Sequence, residues 1–525
     1  MTRRKRWIFP AILAMISIVG MFALWRSTPY GMGLVNDSAT YVEGATNLLA
    51  GKGFVRISGG GEIKPITHFP PLFSLLLAGF GFMGMDLLHA ARILITILFG
   101  IDILLVGLSI NKICHSVVFA CLGALLLAVS DLHLGVYSFA LSEPLFITLM
   151  LAAFLFLAES FDRSSWWWSG LTGLTLSLAY LTRFAGVSLL LTTLLVILLL
   201  QPPKPIKRLG FILAGAGVPV LFWYVYSLMA GGIGSLGNRQ LLWHPLSPRT
   251  LFEAVKNLLT WIAPSDLLAS SLIWGRMLSL VSILVLPVLM IWLGWVVWKR
   301  LRSSREQSNP GGSLALAFTQ GLHVPVYLGF LVISLTFFDA STPLNDRILS
   351  VIYLPEMILF WSALAWLWSK ASGRLVFVRW VIAISCGILM AFSVKDGYAA
   401  MLQLGSEGQG FAHRGISGSP AIETIRQLSP TILYSNKPGA VFLLTGKTAY
   451  VAPTPTDPVT GLGRTNYMDD LALLHQRVSD GEAVLILFGL RNDPDVDEAE
   501  LFTDLSDNLP VMADYGEIVL FGLSQ

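Results

Sequence analysis

Residues 3–26 read RRKRWIFPAILAMISIVGMFALWR, and this stretch indicates the class of fold. Four basic residues precede an apolar run from Trp7 to Trp25 that contains no charged side chain. A run of about 19 residues can cross a bilayer as a helix, and it is longer than the apolar core of a cleaved signal peptide. We therefore expect an uncleaved first transmembrane helix whose N-terminus is cytoplasmic, because basic flanks favour that side.

The composition of the whole chain points the same way. Of its 525 residues, 54% are hydrophobic and 13% are charged, whereas soluble domains carry about 25% charged residues. These values exclude an ordinary soluble enzyme and a disordered protein. They predict a mainly α-helical, polytopic membrane protein.

Charge is distributed unevenly along the chain. Residues 1–395 contain 28 Lys and Arg against 15 Asp and Glu, whereas residues 396–525 contain 7 against 17. Such an asymmetry indicates two domains. We predict a transmembrane module over 1–395 and a small extracytoplasmic α/β domain over 396–525. Because the basic part is apolar throughout, its charge indicates membrane topology and not nucleic-acid binding.

Apolar runs long enough to span a bilayer recur along the first 395 residues. Eleven are predicted, at 7–25, 88–110, 115–130, 138–158, 166–182, 184–200, 208–229, 272–297, 315–338, 347–368 and 375–394. With a cytoplasmic N-terminus, the alternate loops that should be basic contain Lys112, Arg163, Lys204, Lys207, Arg208, Lys299, Arg300, Arg302, Arg305, Lys370 and Arg374. This agreement with the positive-inside rule predicts a plasma-membrane protein whose C-terminal domain is extracytoplasmic.

Three exterior segments are too long to be simple turns: 26–87, 230–271 and the C-terminal domain. Long loops in compact proteins are usually functional, and we expect the first to carry the site. It includes an apolar stretch that ends near Met83, which is too short to span and is expected to lie in the interface or re-enter. In the C-terminal domain the pattern predicts strands at 431–434, 440–444, 483–488 and 518–523 and helices at 466–479 and 497–507.

Two acidic residues lie at the predicted outer boundary of the membrane. Asp37 follows the first span in the exterior loop, and Glu143 begins the fourth span. Carboxylates at such a boundary are costly and often functional, and one of them can act as a general base. Each also has a local explanation, because Asp37 could cap the helix that follows it and Glu143 suits the first turn of a helix that Ser142 would cap. The sequence leaves these alternatives open.

Basic residues concentrate in cytoplasmic loops, so those on the predicted exterior side are candidates for function. Arg183 lies in the turn between two apolar helices, and Arg347 enters the tenth span from outside, beside Asp346. Arginine can bind a phosphate through paired hydrogen bonds, although it can also reach lipid headgroups from a structural position. Lys64 and Arg92 complete the set of candidate phosphate-binding residues.

The cysteines and histidines suggest neither a disulfide nor a metal centre. Cys114 and Cys121 are seven residues apart, about 10 Å along a helix, which is beyond the reach of a disulfide. The eight histidines are scattered. Of these, His68, beside a Pro-Pro pair, is the candidate for substrate binding, with a polar interface residue as the alternative.

Several short elements occur in a recognisable order. An acidic residue and Tyr41 in the first exterior loop are followed by Asn47-Leu48-Leu49-Ala50-Gly51-Lys52-Gly53-Phe54, Phe69-Pro70-Pro71-Leu72, Ser142-Glu143-Pro144-Leu145-Phe146, Leu181-Thr182-Arg183-Phe184-Ala185-Gly186 and Asn345-Asp346-Arg347. This order resembles the polytopic GT-C glycosyltransferases. The most similar groups are the bacterial relatives of the protein O-mannosyltransferases and of the lipid A aminoarabinose transferase.

The resemblance implies a sugar donor carried on a polyprenyl phosphate and an inverting transfer to an acceptor hydroxyl. It implies that Asp37 is the general base and that Glu143 is a second catalytic acidic residue. We also expect Tyr41 and His68 to contact substrate. Arg183 and Arg347, with Lys64 or Arg92, would bind the donor phosphate. The acceptor could be a lipid, a glycan or a protein. Oligosaccharyl relatives use a divalent metal, but no cofactor is predicted here.

Two other functions are compatible with the composition. A secondary transporter would place polar groups in mid-membrane, as Asp102 is placed, but it would often show repeated halves, and none is visible. A non-catalytic envelope scaffold could use the acidic C-terminal domain to bind a partner, but it would leave the exterior carboxylates and arginines without a role.

Overall fold

Long helices dominate the structure, which is a computed structural model. It describes residues 5–57, 59, 61–163, 165–231, 241–246, 257–262, 272–302, 310–338, 344–429, 432–457, 462–489 and 502–523. Most of the predicted exterior segment 230–271 lies outside the described residues, as do Arg305 and residues 497–501 of the last predicted helix.

Each of the eleven segments predicted as spans contains one long helix, which confirms the mainly α polytopic class. Among the described residues, eight helices are long and apolar enough to cross a membrane, or nine if one bent pair forms a single span. The number of eleven spans is therefore approximate. The helices of this part, numbered in chain order, are α1 (Lys5–Ser27), α2 (Asn36–Leu49), α3 (Leu72–Phe82), α4 (Leu87–Cys114), α5 (Val117–Val129), α6 (Asp131–Tyr137), α7 (Glu143–Asp162), α8 (Trp166–Thr182), α9 (Gly186–Leu200), α10 (Pro205–Gly231), α11 (Leu272–Arg302), α12 (Gly311–Phe337), α13 (Asp346–Lys370) and α14 (Val376–Glu407).

Burial separates central helices from peripheral ones. In the most apolar 18 residues of each helix, 78% are buried in α13 and 67% in α7, against 17% in α14 and 11% in α11. A helix that is apolar all round and little buried by protein must face lipid. The bundle is therefore built around α7 and α13, whose first residues both carry charge.

A sharp bend follows the third predicted span. The α5 helix ends at Val129, and the chain turns by 58° into the short helix α6. Ser130 has an extended backbone, and its side chain accepts a hydrogen bond from the amide of His133, so it ends one helix and caps the next. The α7 helix then begins at Glu143 and not at residue 138 as predicted, because residues 138–140 pair with the first exterior loop.

The first exterior loop folds into α2, a small hairpin and α3. The hairpin pairs β1 (Val55–Ile57) with β2 (Ile63–Pro65) in antiparallel register. The α3 helix has 11 residues, about 17 Å at 1.5 Å per residue, which is too short to cross a bilayer.

Backbone hydrogen bonds hold the start of α2 in place from two sides. The amide of Gly33 donates to the carbonyl of Ser138 at 2.7 Å, on the segment before α7. The carbonyl of Leu34 accepts from the amide of Phe411 at 2.8 Å, just after α14. Two segments remote in sequence therefore fix where α2 begins.

The C-terminal region contains a mixed five-stranded sheet. Its strands are β3 (Ile432–Ser435), β4 (Tyr450–Val451), β5 (Ala483–Phe488), β6 (Val511–Asp514) and β7 (Ile518–Phe521), in the order β4-β3-β5-β7-β6. The β3 strand is parallel to both neighbours, whereas β7 is antiparallel to both of its own. The helices are α15 (Arg414–Ser417), α16 (Pro420–Gln427), α17 (Pro438–Thr445) and α18 (Tyr467–Ser479).

The β5 strand explains why this sheet has helices on both faces. Its side chains are all buried, and they alternate between two hydrophobic clusters. Leu485 and Leu487 pack with Leu474 of α18, whereas Val484 and Ile486 pack with Ile425 of α16. A strand buried on both faces is typical of a layered α/β arrangement. The division into domains at 395/396 stays a prediction, and α14 continues past that position.

One predicted strand is wrong. Residues 440–444 lie in helix α17, because Pro438 occupies the first turn and Gly446 ends the helix in a left-handed conformation at φ +76°. Proline at a helix start and glycine after its end are helix signals. A short continuous apolar run does not distinguish helix from strand by its periodicity. The short strand β4 and the strand β6 were not predicted, since neither shows a clear apolar alternation.

The α17 helix packs directly on α2. A Cβ atom on Gly439 would lie 2.9 Å from the side-chain oxygen of Asn36 and 3.0 Å from the Cβ of Ala39. Glycine thus lets the two helices approach closely at the residues that flank Asp37. The C-terminal region therefore supports the helix that carries the candidate base.

The helices α8 and α10 also cross at glycines. A Cβ atom on Gly173 would lie 2.1 Å from the carbonyl oxygen of Ile212, and one on Gly215 would lie 2.6 Å from that of Gly170. Small residues allow membrane helices to approach closely where no hydrophobic effect drives them together.

Gly215→Val should lower the free energy of unfolding by about 1–3 kcal/mol, because the added side chain meets backbone and forces the helices apart. Gly217→Val is the matched control on the same helix, since nothing lies within 4 Å of its Cβ position. Denaturant unfolding in detergent micelles measures both variants. Equal losses in the two would show that α8 and α10 do not cross at this position.

Candidate functional site

An ion-pair network joins the beginnings of three helices and the turn before a fourth. The guanidinium of Arg347, in the first turn of α13, binds the carboxylates of Asp37 on α2 and Glu143 on α7. The same oxygen of Glu143 also binds Nη1 of Arg183, between α8 and α9, at 2.9 Å. Residues separated by up to 310 positions in the sequence thus form one cluster.

The two carboxylates differ sharply in burial. The side chain of Glu143 is 1% exposed, whereas those of Asp37 and Arg347 are each 30% exposed. A buried carboxylate is stable only when it is paired and hydrogen-bonded. Glu143 is therefore suited to hold the two arginines, and Asp37 is the more accessible of the two carboxylates.

A hydrogen-bonded pair of hydroxyls extends the network. Tyr41 Oη and Ser142 Oγ lie 2.8 Å apart, and Arg183 Nη1 donates to the same Ser142 Oγ at 3.2 Å. The ring of Tyr41 packs edge-on against Phe69 and Phe73. Burial raises the pKa of Tyr41 well above its usual range, so the phenol stays protonated and can donate.

The capping explanations do not describe these side chains. The residue before α2 is Val35, and Ser38 accepts a hydrogen bond from its amide at 3.2 Å, while Asp37 binds Arg347. Ser142 precedes α7 without a capping hydrogen bond from its side chain. Asp37 and Ser142 therefore make tertiary contacts, which local sequence does not reveal.

Two cavities flank the network. One, which we call the arginine cavity, has a volume of about 100 Å³. The other, the carboxylate cavity, has a volume of about 820 Å³. The arginine cavity is lined by residues that include Tyr41, His68, Arg183, Tyr327, Phe330 and Leu331. The carboxylate cavity is lined by residues that include Asp131, Phe139, Asp346, Arg347, Gln403 and Gln409.

The structure brings together six of the eight residues that the sequence predicts for the site. Tyr41, His68 and Arg183 line the arginine cavity, and Arg347 lines the other. Glu143 joins Arg183 to Arg347 through ion pairs, and Asp37 is paired with Arg347.

Lys64 and Arg92 have their described contacts elsewhere. Lys64 pairs with Glu62 at 2.9 Å on the exposed hairpin. Arg92 donates to Thr28 Oγ1 at 3.1 Å and to the carbonyl of Trp25 at 2.7 Å, and it lies over the Trp25 ring. Neither belongs to the described lining of the two cavities.

Sequence reasoning missed Tyr327 and Gln409. Tyr327 is buried in the middle of α12, donates to the carbonyl of Ile348 at 3.0 Å, and lies close enough to interact electrostatically with Arg183 and Glu143. Gln409 accepts a hydrogen bond from Ser138. A single tyrosine in an apolar helix and a glutamine in a polar turn carry no sequence signal of function.

Asp102, the charged residue midway along α4, is fully buried and accepts a hydrogen bond from Tyr137 Oη at 2.8 Å. This contact joins α4 to α6. Within the part of the chain that the structure describes, no group of three or more His, Cys, Asp or Glu side chains could hold a metal ion.

Comparison with known proteins identifies the fold. No family model matches the chain, and no curated protein matches it in sequence. The structure is similar to that of ArnT from Cupriavidus metallidurans, with a TM-score of 0.56, 14% identity and coverage of 97% of each chain.

Two further solved structures are similar. For the oligosaccharyltransferase AglB from Archaeoglobus fulgidus the TM-score is 0.55 at 11% identity, covering 93% of this chain and 70% of that one. For the arabinofuranosyltransferase AftD from Mycobacteria it is 0.51 at 15% identity, covering 99% and 40%. All three are GT-C glycosyltransferases, so the GT-C fold implied by the sequence motifs is confirmed.

Glu143→Gln should lower the free energy of unfolding by about 3–5 kcal/mol, because it leaves two clustered arginines with only Asp37 to balance them. Glu62→Gln is the matched control, since it breaks an ion pair in which both side chains are more than half exposed. That loss should be below about 1 kcal/mol. Unfolding in detergent compares the two. A loss at Glu143 as small as that at Glu62 would show that the network contributes little to stability.

Proposed function

We propose that this chain is a membrane glycosyltransferase that moves a sugar from a polyprenyl-phosphate donor to an acceptor hydroxyl, with inversion at the anomeric carbon. The observation that carries the proposal is Asp37, a carboxylate that is 30% exposed and is paired with Arg347, a residue that lines the larger cavity, in a GT-C fold. A solved ArnT structure with a TM-score of 0.52 is bound to undecaprenyl phosphate, and the AglB structure is in complex with a dolichol-phosphate. These two complexes support a lipid-linked donor.

The reaction needs one base and fixed positive charge. The acceptor oxygen attacks the anomeric carbon while its proton passes to the Asp37 carboxylate. The bond between that carbon and the phosphate oxygen breaks, and the polyprenyl phosphate leaves as an anion. A phosphate leaving group requires cations and no general acid, unlike the leaving alcohol of a glycosidase.

The arginines supply that charge from preorganised positions. Arg183 lines the arginine cavity, where it would bind the donor phosphate, and His68 and Tyr41 line the same wall. Arg347 orients Asp37 and adds a second positive charge beside the reacting centre. Groups held in place before the reaction stabilise developing charge most effectively. Glu143, being buried, acts in this proposal as a positioning residue for both arginines.

The network lies at one end of α7, and a second charged cluster lies at the other end. Lys112 binds Glu159 at 2.7 Å and Asp162 at 2.8 Å, in the last turn of that helix. A 20-residue helix is about 30 Å long, so the two clusters lie on opposite sides of the membrane. Because basic loops favour the cytoplasm, we place Lys112 and the N-terminus inside and Asp37 outside.

Asp37→Asn should lower sugar transfer by about 10²–10⁴-fold, the usual contribution of a general base. Purified protein in detergent is incubated with radiolabelled polyprenyl-phosphate sugars, and transfer of label is counted. Asp86→Asn is the control in the same exterior loop, because the described contact of Asp86 is the cap of α4, which asparagine can also provide. Wild-type transfer by folded Asp37→Asn protein would exclude Asp37 as the base.

Arg183→Gln should weaken binding of undecaprenyl phosphate by about 10- to 100-fold, since it removes a charge-assisted hydrogen bond. Lys64→Gln and Arg92→Gln should bind as wild type, because their described contacts lie elsewhere. Calorimetric titration in nanodiscs measures all three, with thermal unfolding as a check on folding. Weak binding by either comparison variant, with normal binding by Arg183→Gln, would show that the donor phosphate binds at Lys64 or Arg92 and not at Arg183.

A further inference from the structure

A group of exposed cations lies at the end of the bundle opposite to the ion-pair network. Helix α9 begins shortly after Arg183, and its 15 residues carry the chain about 22 Å away from the network. Lys204 and Lys207 lie at the start of α10, and Lys299 and Arg302 lie in the last turn of α11. We call these four exposed side chains the basic patch.

A hydrogen bond brings the two halves of the basic patch together. Arg300, between the two patch residues of α11, donates through Nε to the carbonyl of Leu200 at 2.9 Å. Leu200 is the last residue of α9 and precedes Lys204 by four positions. The cations of α10 and α11 therefore surround one turn of the chain, although Arg300 and Leu200 are 100 positions apart in the sequence.

Carboxylates do not balance this charge within the segments that carry it. Residues 186–231 and 272–302 contain no Asp or Glu. At the same end of the bundle, Glu159 and Asp162 are bound to cations outside the patch. Residues 303–309, which lie outside the described residues, contain one Arg and one Glu and add no net charge. The basic patch therefore has excess positive charge among the residues that the structure describes.

Aromatic rings hold the basic patch at the depth of lipid headgroups. Three of its cations lie over a ring four residues away on the same helix, one turn further from the helix end. The pairs, with the distance from Nζ or Cζ to the ring centroid, are Lys207 over Phe211 at 6.0 Å, Lys299 over Trp295 at 5.1 Å and Arg302 over Trp298 at 4.2 Å. Tryptophan is enriched where helices pass from hydrocarbon to water. The cations therefore lie just outside the hydrocarbon, beside the phosphates of the bilayer.

Lipid has direct access to the basic patch, because α10 and α11 are little covered by protein. In their most apolar 18 residues, 17% are buried in α10 and 11% in α11. Large apolar side chains are exposed on both helices, among them Val218 and Leu221 on α10 and Val288 and Ile291 on α11. Acyl chains can lie along these surfaces below the cations. A free phosphate would gain nothing from them, so the surface fits a lipid.

We propose that the basic patch binds the phosphate of an anionic phospholipid whose acyl chains lie against α10 and α11. The inference goes beyond the proposed function and does not depend on it. Arginine binds a phosphate through paired hydrogen bonds, and lysine binds it as a point charge. Each basic residue near an anionic membrane surface contributes about fivefold to binding. A zwitterionic lipid carries its own cation beside the phosphate, so it gains less from the patch.

The test measures the binding of single lipids to the full chain in detergent by native mass spectrometry. Dioleoyl phosphatidylglycerol and dioleoyl phosphatidylcholine are compared, because they share acyl chains and differ in net charge. We expect the anionic lipid to bind at least about tenfold more tightly, with a smaller ratio in about 0.5 M ammonium acetate, because salt screens the attraction. Equal affinities for the two lipids would overturn the proposal.

Lys207→Gln/Arg302→Gln removes one cation from each helix and should weaken phosphatidylglycerol binding by about 25-fold, the product of two fivefold contributions. Arg426→Gln/Arg464→Gln is the matched control, because it removes the same charge from exposed positions in the C-terminal region, and it should bind as wild type. Thermal unfolding checks that both variants are folded. Undiminished binding by the first variant, or an equal loss in both variants, overturns the proposal.

Two further comparisons identify the ligand and the site. Glycerol 3-phosphate carries the phosphate without acyl chains and should not displace the lipid at equal concentration. Displacement would identify a free anion as the ligand and overturn the proposal. Arg183→Gln should bind phosphatidylglycerol as wild type, because Arg183 lies at the other end of α9. If Arg183→Gln loses the lipid and the patch variant keeps it, the lipid occupies the arginine cavity and the proposal fails.

Discussion

The buried carboxylate of Glu143 is the constraint on which the arrangement of the site depends. It lies at the start of the central helix α7, at 1% exposure, and it is stable there because Arg183 and Arg347 both bind it. Two arginines brought together without it would repel each other, and the carboxylate alone would be too costly to bury. This one charge therefore draws the α8–α9 turn and the start of α13 to the same point.

Asp37 completes the charge balance and links the bundle to the exterior loop. Arg347 binds Glu143 on one side and Asp37 on the other, so the position of α2 is coupled to the helix core. The segments around Ser138 and Phe411 hold the start of α2, and α17 packs on it at Gly439. A carboxylate that is both accessible and held in place is what a general base requires. The C-terminal region thereby contributes to the site without supplying a residue to the network.

Two cavities flank the network and have different linings. Arg183 faces the smaller cavity, whereas Asp131 and Asp346 face the larger one. In the proposed reaction the leaving group is an anion, and Arg183 is placed to bind it. Tyr41 is hydrogen-bonded to Ser142, which also accepts from Arg183 and so helps to fix its guanidinium.

Local sequence predicted the helices, because each of them depends on the length of its own apolar run. Apolar length gave all eleven helices, because a bilayer demands about 20 apolar residues wherever a chain crosses it. The same reasoning failed at 440–444, where a short apolar run suits either secondary structure, and at residues 138–142, which precede the helix that was predicted to include them.

The sequence by itself determined a polytopic membrane protein, and the order of its short motifs indicated a GT-C fold and most of the residues that meet at the site. It did not decide whether Asp37 and Glu143 stabilise helix ends or serve the function. It grouped Lys64 and Arg92 with Arg183 and Arg347, because a linear sequence shows the sign of a charge but not the burial or the partner of the side chain. Only the tertiary structure decided which charges are partners. Ion pairs between residues up to 310 positions apart depend on how helices pack, and neither periodicity nor spacing encodes that packing.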